Sequence, residues 1–397
     1  MCRSECIAHF VYSIQKFVSS SSLLLSPLTR KFLCVLSTVT NLRRTVCVSM
    51  SASGIPNLNA FRRGTRGRGR GDADTGLAPL KSRDDIVRCT DDDAATSRTS
   101  AVKAGYLDDP FAEHMTTDSY PRRLPLMNRG TYVRTQGIDR IVDTFLASVS
   151  EPKQIISLGA GSDTRYFRVK RQHRDLDLVY HELDFRENNE KKLRRLRSPG
   201  CASLIKDLCD LDILTTSQTE GAFASPDYHI HSIDLRTLSQ QGLPAEIDRG
   251  RSTLIISECC LVYLSPDEAD TTLSYLSNTF QDTSLAVVIY EPIRPSDAFG
   301  KTMIRNLVAR GIHLQTIEKY ADLPSQKQRL ADLGLTAQAE DINSIWSSWI
   351  SQDEKDRVEK LEWMDEVEEF VLLAQHYCIA WGWRSFQDDP DGGRYQL

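Results

Sequence analysis

Between residue 84 and residue 383 the chain alternates two kinds of pattern, short unbroken apolar runs and longer stretches with an apolar stripe at helical spacing. The apolar runs are Gln154–Leu158, Tyr180–Asp184, Tyr228–Ile233, Thr253–Ser257 and Leu285–Tyr290, and each is the length of a strand buried on both faces. A shorter apolar stretch, Ala202–Ile205, lies among them, and Tyr377–Trp383 alternates as a final strand. Helical patterns fall between and around these runs. Asp84–Gly105 reads as a helical region opened by acids, with Thr90-Asp91-Asp92-Asp93 as its cap, and Asp108-Asp109-Pro110 breaks it before a short helix at Phe111. Arg129–Ser148 carries Ile138, Ile141, Val142, Phe145 and Leu146 on one stripe. Arg186–Arg197 is a charged helix and Pro266-Asp267-Glu268 opens another. Trp346 and Trp349 pack a satellite helix, and Trp363, Val367, Phe370, Val371 and Ala374 mark an amphipathic one. The β-α-β-α order predicts a parallel sheet covered on both faces, and the lack of a 20 to 50 residue repeat excludes a propeller or solenoid.

The first apolar run breaks directly into Gly159-Ala160-Gly161 and then a helix. Glycines at such a turn reach positive φ and let the backbone approach a ligand at the carboxyl edge of the sheet. A dinucleotide fingerprint requires a third glycine three residues after the second, where this chain has Thr164. S-adenosyl-L-methionine carries no phosphate, so it needs the close approach and a ribose acid but no anion-binding helix terminus. Asp184, at the end of the second run, stands at about the ~20 residue distance expected of that acid. Asp234, Glu258 and Glu291 also follow apolar runs, and together these acids predict a site for hydroxyls, an amine and a ring amino group. Arg134 precedes Ile138 by four and therefore points along the apolar stripe, where a guanidinium requires an anion such as a cofactor carboxylate. Methyl transfer, dinucleotide binding and a plain strand-turn-helix remain open on these residues alone.

Charge divides the chain near residue 80. Residues 1 to 80 hold 11 Lys plus Arg against 3 Asp plus Glu, and subtraction from the totals of 49 and 54 leaves 38 against 51 for residues 81 to 397. The expected domains are accordingly an extension over 1–80 and a folded domain over 81–397. Residues 1–50, with Glu5 as their one acid, read as an organellar presequence or as leader sequence before a start at Met50. Their longest uncharged stretch, Phe17 to Thr29, is 13 residues, too short to span a membrane, which takes about 20. Phe61–Gly71 is an Arg-Gly tract, expected to be disordered, that solubilises the chain or makes weak RNA contacts. None of the 10 cysteines forms a Cys-x-x-Cys pair, so free thiols in a reducing compartment are expected. His229 and His231 share a strand face with no third ligand near in sequence, which reads as a structural pair and no metal site.

The residues from about 84 to 383 closely resemble the leucine carboxyl methyltransferase family. The resemblance rests on Asn128-Arg129-Gly130 with Arg134, Leu158-Gly159-Ala160-Gly161-Ser162-Asp163-Thr164, Asp234-Leu235-Arg236, Glu258-Cys259-Cys260-Leu261-Val262-Tyr263, and Phe299-Gly300. It implies a class I, Rossmann-like α/β methyltransferase fold with a seven-stranded sheet, an amino-terminal helical lid and an insertion over the substrate cleft. It further implies a cytoplasmic, monomeric enzyme that esterifies the carboxy-terminal leucine of the protein phosphatase 2A catalytic subunit and needs no general base. Gly159 to Gly161 would lie against the methionine part of the cofactor, Arg134 and Arg98 near its carboxylate, Asp184 on the ribose, Asp234-Leu235 at the adenine, and Glu258 along the site. Arg98 stands where the family more often has Lys, and residues 1–80 have no counterpart in it. Family relatives that modify a tRNA base carry a large carboxy-terminal repeat domain, which is not expected here. The competing readings are a small-molecule or tRNA-modifying O-methyltransferase, a dinucleotide oxidoreductase and a non-catalytic interaction protein.

Overall fold

The computed structural model describes residues 82–116, 121–148, 152–214, 221–365 and 367–385, all within one compact unit, Ala60–Leu397. The presequence, the Arg-Gly tract and the expected boundary near residue 80 lie outside the described residues.

The apolar runs form the sheet because each is flanked by helices that need a surface to cover. Eight strands result among the described residues: β1 (Lys153–Leu158), β2 (Leu178–Asp184), β3 (Phe223–Ala224), β4 (Tyr228–Ser232), β5 (Ser252–Glu258), β6 (Leu285–Pro292), β7 (Thr336–Asp341) and β8 (Tyr377–Arg384). They lie in the order β3-β4-β2-β1-β5-β6-β8-β7. Every residue of β1 and β6 is buried, as expected of parallel strands packed on both sides. Strand order reverses at β1, which pairs in parallel with β2 on one side and β5 on the other, so a crevice opens beyond its carboxyl end.

The sheet departs from the all-parallel expectation. β8 runs antiparallel to both β6 and β7, and the two-residue β3 is antiparallel to β4. Without β3 the expected seven strands remain. β7 escapes recognition in the sequence because Thr336–Asp341 carries Gln338, Glu340 and Asp341 on a half-covered strand and so lacks a long apolar run. The apolar Ala202–Ile205 is no strand but the buried stripe of helix Pro199–Cys209, where Cys201, Ala202 and Ile205 face the core.

Four further differences concern helices. The amino-terminal region is two helices, Arg83–Arg88 and Thr90–Lys103, hinged at Cys89. The second has no side-chain cap, because its N-cap position is Cys89, in helical backbone conformation, and Asp91 in its first turn is engaged at the glycine turn. The stripe helix starts earlier than expected, at Pro125, whose fixed φ suits a first helical position. Trp363 lies outside helix Val367–Ala374 and is 86% exposed, whereas Trp346 does sit in a short helix, Ile342–Ser348.

Candidate active site

β1 ends in a turn held at both glycines. Gly159, at φ 60°, donates its N–H to the Leu183 carbonyl at 2.7 Å, and Gly161, at φ 48°, donates to Asp184 Oδ2 at 2.6 Å. A side chain at either position has no room. A Cβ at Gly159 would stand 2.5 Å from Cys260 Sγ, and one at Gly161 would stand 2.5 Å from Asp91 Oδ1. The Asp91 carboxylate reaches down from the amino-terminal helix to accept the Ser162 N–H at 2.6 Å and pairs with Lys191, so it latches that helix to the turn.

A cavity of about 450 Å³ opens over this turn. Arg98, Arg134, Gly159, Gly161, Asp184, Asp234, Leu235 and Glu258 all line it, although they come from two helices and four strand ends. Glu291, the fourth strand-end acid, does not. It is 1% exposed and paired with Arg329 at 3.0 Å on the far side of β6, so it belongs to the core.

Asp184 already accepts three donors, the N–H groups of Gly161 and Phe185 and the side-chain amide of Asn188. Burial nonetheless raises its pKa, and the carboxylate shapes the turn as well as facing the cavity. Asp234 caps the turn after β4 and grips Arg236, whose guanidinium also holds Asp84 of the amino-terminal helix through two bonds of 2.8 and 3.1 Å. That clasp draws helix Arg83–Arg88 over the cavity.

The anion expected for Arg134 is Glu258, with Nε 3.5 Å from Oε2, and the guanidinium also lies 5.2 Å from the Tyr290 ring centroid. Arg98 is 8% exposed, donates from Nε to Asp109 at 2.5 Å and from Nη1 to Thr135 at 3.3 Å, and leaves Nη2 buried without a partner. An unsatisfied buried guanidinium nitrogen at a cavity wall fits an anionic ligand group.

The sequence reading missed the residue that binds these parts together. Arg165, the first residue after the turn, is buried and donates to Asp139 at 3.1 Å, Asp163 at 2.6 Å and Glu258 at 2.6 Å. Arg168 pairs with Asp139, and Asp109 ties Arg98 to the hydroxyl of Thr164. Four arginines and four carboxylates thus balance beside the cavity: Arg98, Arg134, Arg165 and Arg168 against Asp109, Asp139, Asp163 and Glu258. The one available signal was an excess of charge in helix Arg165–Gln172, which alone resembles a solvated face.

Burial by itself would raise the Asp139 carboxyl, and the Arg168 and Arg165 guanidiniums more than reverse this, holding it well below the usual range. A folded pKa below the unfolded 3.8 gives stability that is complete above about pH 3.8 and lost as pH falls below it. Asp139→Asn is therefore expected to weaken the protein at pH 7 and flatten its acid-unfolding curve below pH 4, measured by urea denaturation across pH.

The histidine reading requires correction. His181 of β2 lies directly opposite His229 of β4 and joins His229 and His231 on one sheet face, so the pair has a third member. Sequence could not show this, because the two strands meet only through the sheet.

The leucine carboxyl methyltransferase family model matches residues 82–277. The chain is 48% identical over 377 residues to leucine carboxyl methyltransferase 1 of Aspergillus fumigatus, covering 85% of this chain and 95% of that one. It belongs to the leucine carboxyl methyltransferase family. The namesakes from Schizosaccharomyces pombe and Bos taurus are 39% and 33% identical, covering 73% and 77% of this chain and 92% and 91% of theirs. The protein is an S-adenosylmethionine-dependent methyltransferase of α/β fold, and the dinucleotide and non-catalytic readings fall away. Among the described residues no helix is long and apolar enough to cross a membrane.

Proposed function

We propose that this enzyme methylates the carboxy-terminal leucine carboxylate of the protein phosphatase 2A catalytic subunit, giving a methyl ester. The observation that carries the reading is that the carboxylates of the described cavity wall are already engaged and none is free to act as a general base. Asp84 and Asp234 are engaged by Arg236, Asp91 by Lys191, Asp93 by Arg310, Asp163 by Arg165, Asp184 by three N–H donors and Glu268 by the Ser265 N–H. No histidine lines the wall. Burial pushes the Cys259 thiol up to about 12 and raises Cys260, Tyr263 and Tyr290 well above their ordinary values, while Glu258 is held by Arg165 and Arg134. A hydroxyl or a ring nitrogen needs a proton removed before or during attack. A terminal carboxylate, with a reference pKa of about 3.3 to 3.7, is already ionised. This disfavours the small-molecule hydroxyl and tRNA readings.

The cofactor fits the residues present. Arg98 and Arg134 would hold its carboxylate, the glycine turn its methionine part, Asp184 the ribose, Asp234-Leu235 the adenine, and Glu258 the floor between them. When bound, it supplies an electrophilic methyl group on a sulfonium. The protein's own part is to orient the acceptor and exclude water, and helix Arg83–Arg88, held by the Asp84–Arg236 clasp, covers the cavity for that purpose. Free thiols at Cys201, Cys209, Cys259, Cys260 and Cys378 support a cytoplasmic setting.

The test uses labelled cofactor and phosphatase with or without its terminal leucine. Label should enter only the intact protein and leave as methanol in mild base; base-stable label in both overturns the reading. For the cofactor assignment, Arg134→Ala and Asp184→Ala are each expected to weaken S-adenosylmethionine binding roughly tenfold to a hundredfold by calorimetry, the cost of a charged hydrogen bond being ~1.5 to 3 kcal/mol. Unchanged affinity in both removes it.

A further inference from the structure

The rings of His181, His229 and His231 stack on one face of β2 and β4, with centroids 4.8 Å apart for His181 and His229, 5.4 Å for His181 and His231, and 5.9 Å for His229 and His231. One nitrogen from each ring lies within 4.8 Å of the other two. Only one contact between them has hydrogen-bond length, His181 Nδ1 to His231 Nε2 at 3.1 Å. His181 Nε2 and His229 Nδ1 are buried without a partner, although His181 is fully buried and His229 only 9% exposed. Three packed imidazoles with two orphaned nitrogens are a costly way to fill a sheet face, because each unsatisfied buried polar atom costs about 1–3 kcal/mol. Apolar side chains would fill the same space without that cost.

We propose that His181, His229 and His231 form a binding site for a divalent transition-metal ion, with Zn²⁺ as the fitting ion. Three neutral imidazoles are a recognised zinc donor set, and the ligand nitrogens of a tetrahedral ion with bonds of ~2.0–2.1 Å stand roughly 3.4 Å apart. One pair already meets that spacing, and side-chain rotation draws in the third nitrogen. Burial, with the neighbouring histidines adding to it, keeps the imidazoles in the neutral form that binds metal, pushing His181 down to about 2 and His231 to about 4. The Glu246 carboxylate acts on His229 and His231 and Asp227 on His229, both favouring positive charge there. Arg251 opposes it at His181, but its own guanidinium is engaged by Asp177 at 2.8 Å. The ion would brace the two strands that end in Asp184 and lead to Asp234, at a point three residues short of each.

The experiment titrates the metal-free full chain with Co²⁺ and, in competition, Zn²⁺. About one equivalent of Co²⁺ should bind with the visible absorption of a four-coordinate nitrogen and oxygen site, Zn²⁺ should displace it, and the thermal midpoint should rise. His229→Gln and His231→Gln should each weaken uptake about tenfold or more. Exchange of the imidazole C2 hydrogens, read by mass spectrometry on the unsubstituted protein, should slow at these three histidines when Zn²⁺ is added, which decides the matter even if a variant fails to fold. No uptake by the unsubstituted protein overturns the proposal. So does uptake with thiolate-type absorption, or uptake that leaves the exchange of these histidines unchanged.

Discussion

Arg165→Met is expected to cost about 3–5 kcal/mol of stability, more than any exposed charge substitution in this protein. The side chain is 2% exposed and answers three carboxylates, on Asp139, Asp163 and Glu258. Methionine keeps the apolar stem out to about the position of Nε and removes the charged end, so the larger part of the loss is that the carboxylates remain as uncompensated buried charge. Arg168 and Arg134 can answer Asp139 and Glu258 in part, but Asp163 loses its direct ion-pair partner. Arg171→Met supplies the comparison. Its pair with Asp108 is exposed on the acid's side by 79%, and such pairs are worth about 0–1 kcal/mol. Urea denaturation of both variants checks the difference, and equal costs would mean that the arginine hub has no special role.

Gly159→Ala should abolish cofactor binding and destabilise the fold by about 2–4 kcal/mol, combining overpacking with a left-handed backbone. Both terms come from one methyl group. The new Cβ would meet Cys260 Sγ at 2.5 Å and Cys260 Cβ at 2.9 Å, while φ 60° is unfavourable to any residue with a side chain. The two can be separated, because Cys260→Gly removes the steric partner and leaves the backbone unchanged. The double variant should recover part of the stability but not all of it. Full recovery would show that φ carries no cost here, and no recovery would show that the clash relaxes freely. Calorimetry with S-adenosylmethionine and thermal denaturation report the two effects independently.

The strands were legible wherever burial is two-sided. β1, β2, β5 and β6 announce themselves because no polar residue interrupts them for long, and the chemistry at their carboxyl ends follows from the strand itself. β7 and the antiparallel sense of β8 were not legible, since strand direction is decided by which neighbour is free and no local pattern records that choice. The cavity residues were found through motif spacing and strand ends, which are local. Arg165, Asp139 and Asp109 were missed because their meaning lies in one another: 26 positions separate Arg165 from Asp139, and 11 separate Arg98 from Asp109, beyond the end of helix Thr90–Lys103. Helical periodicity did direct Arg134 inward, and the demand for an anion was sound, but the nearest one was Glu258. His181 shows the same limit, being 50 residues from the His231 ring it touches.

The placement of β8 between β6 and β7 bears on how the protein is made. A chain synthesised from its amino terminus can lay down β1, β2, β4, β5 and β6 as neighbouring parallel strands while translation continues, since domains fold largely as units as they emerge. β6 then presents a bare edge, and β7 has nothing to pair with, because the strand that joins them is translated after both. During that interval a long apolar edge, Leu285–Pro292, is open to other nascent chains, the kind of template that invites misassembly. Tyr377, the first residue of β8, stacks on Tyr290 at the cavity wall, so the ligand chamber is completed in the same late event that seals the edge.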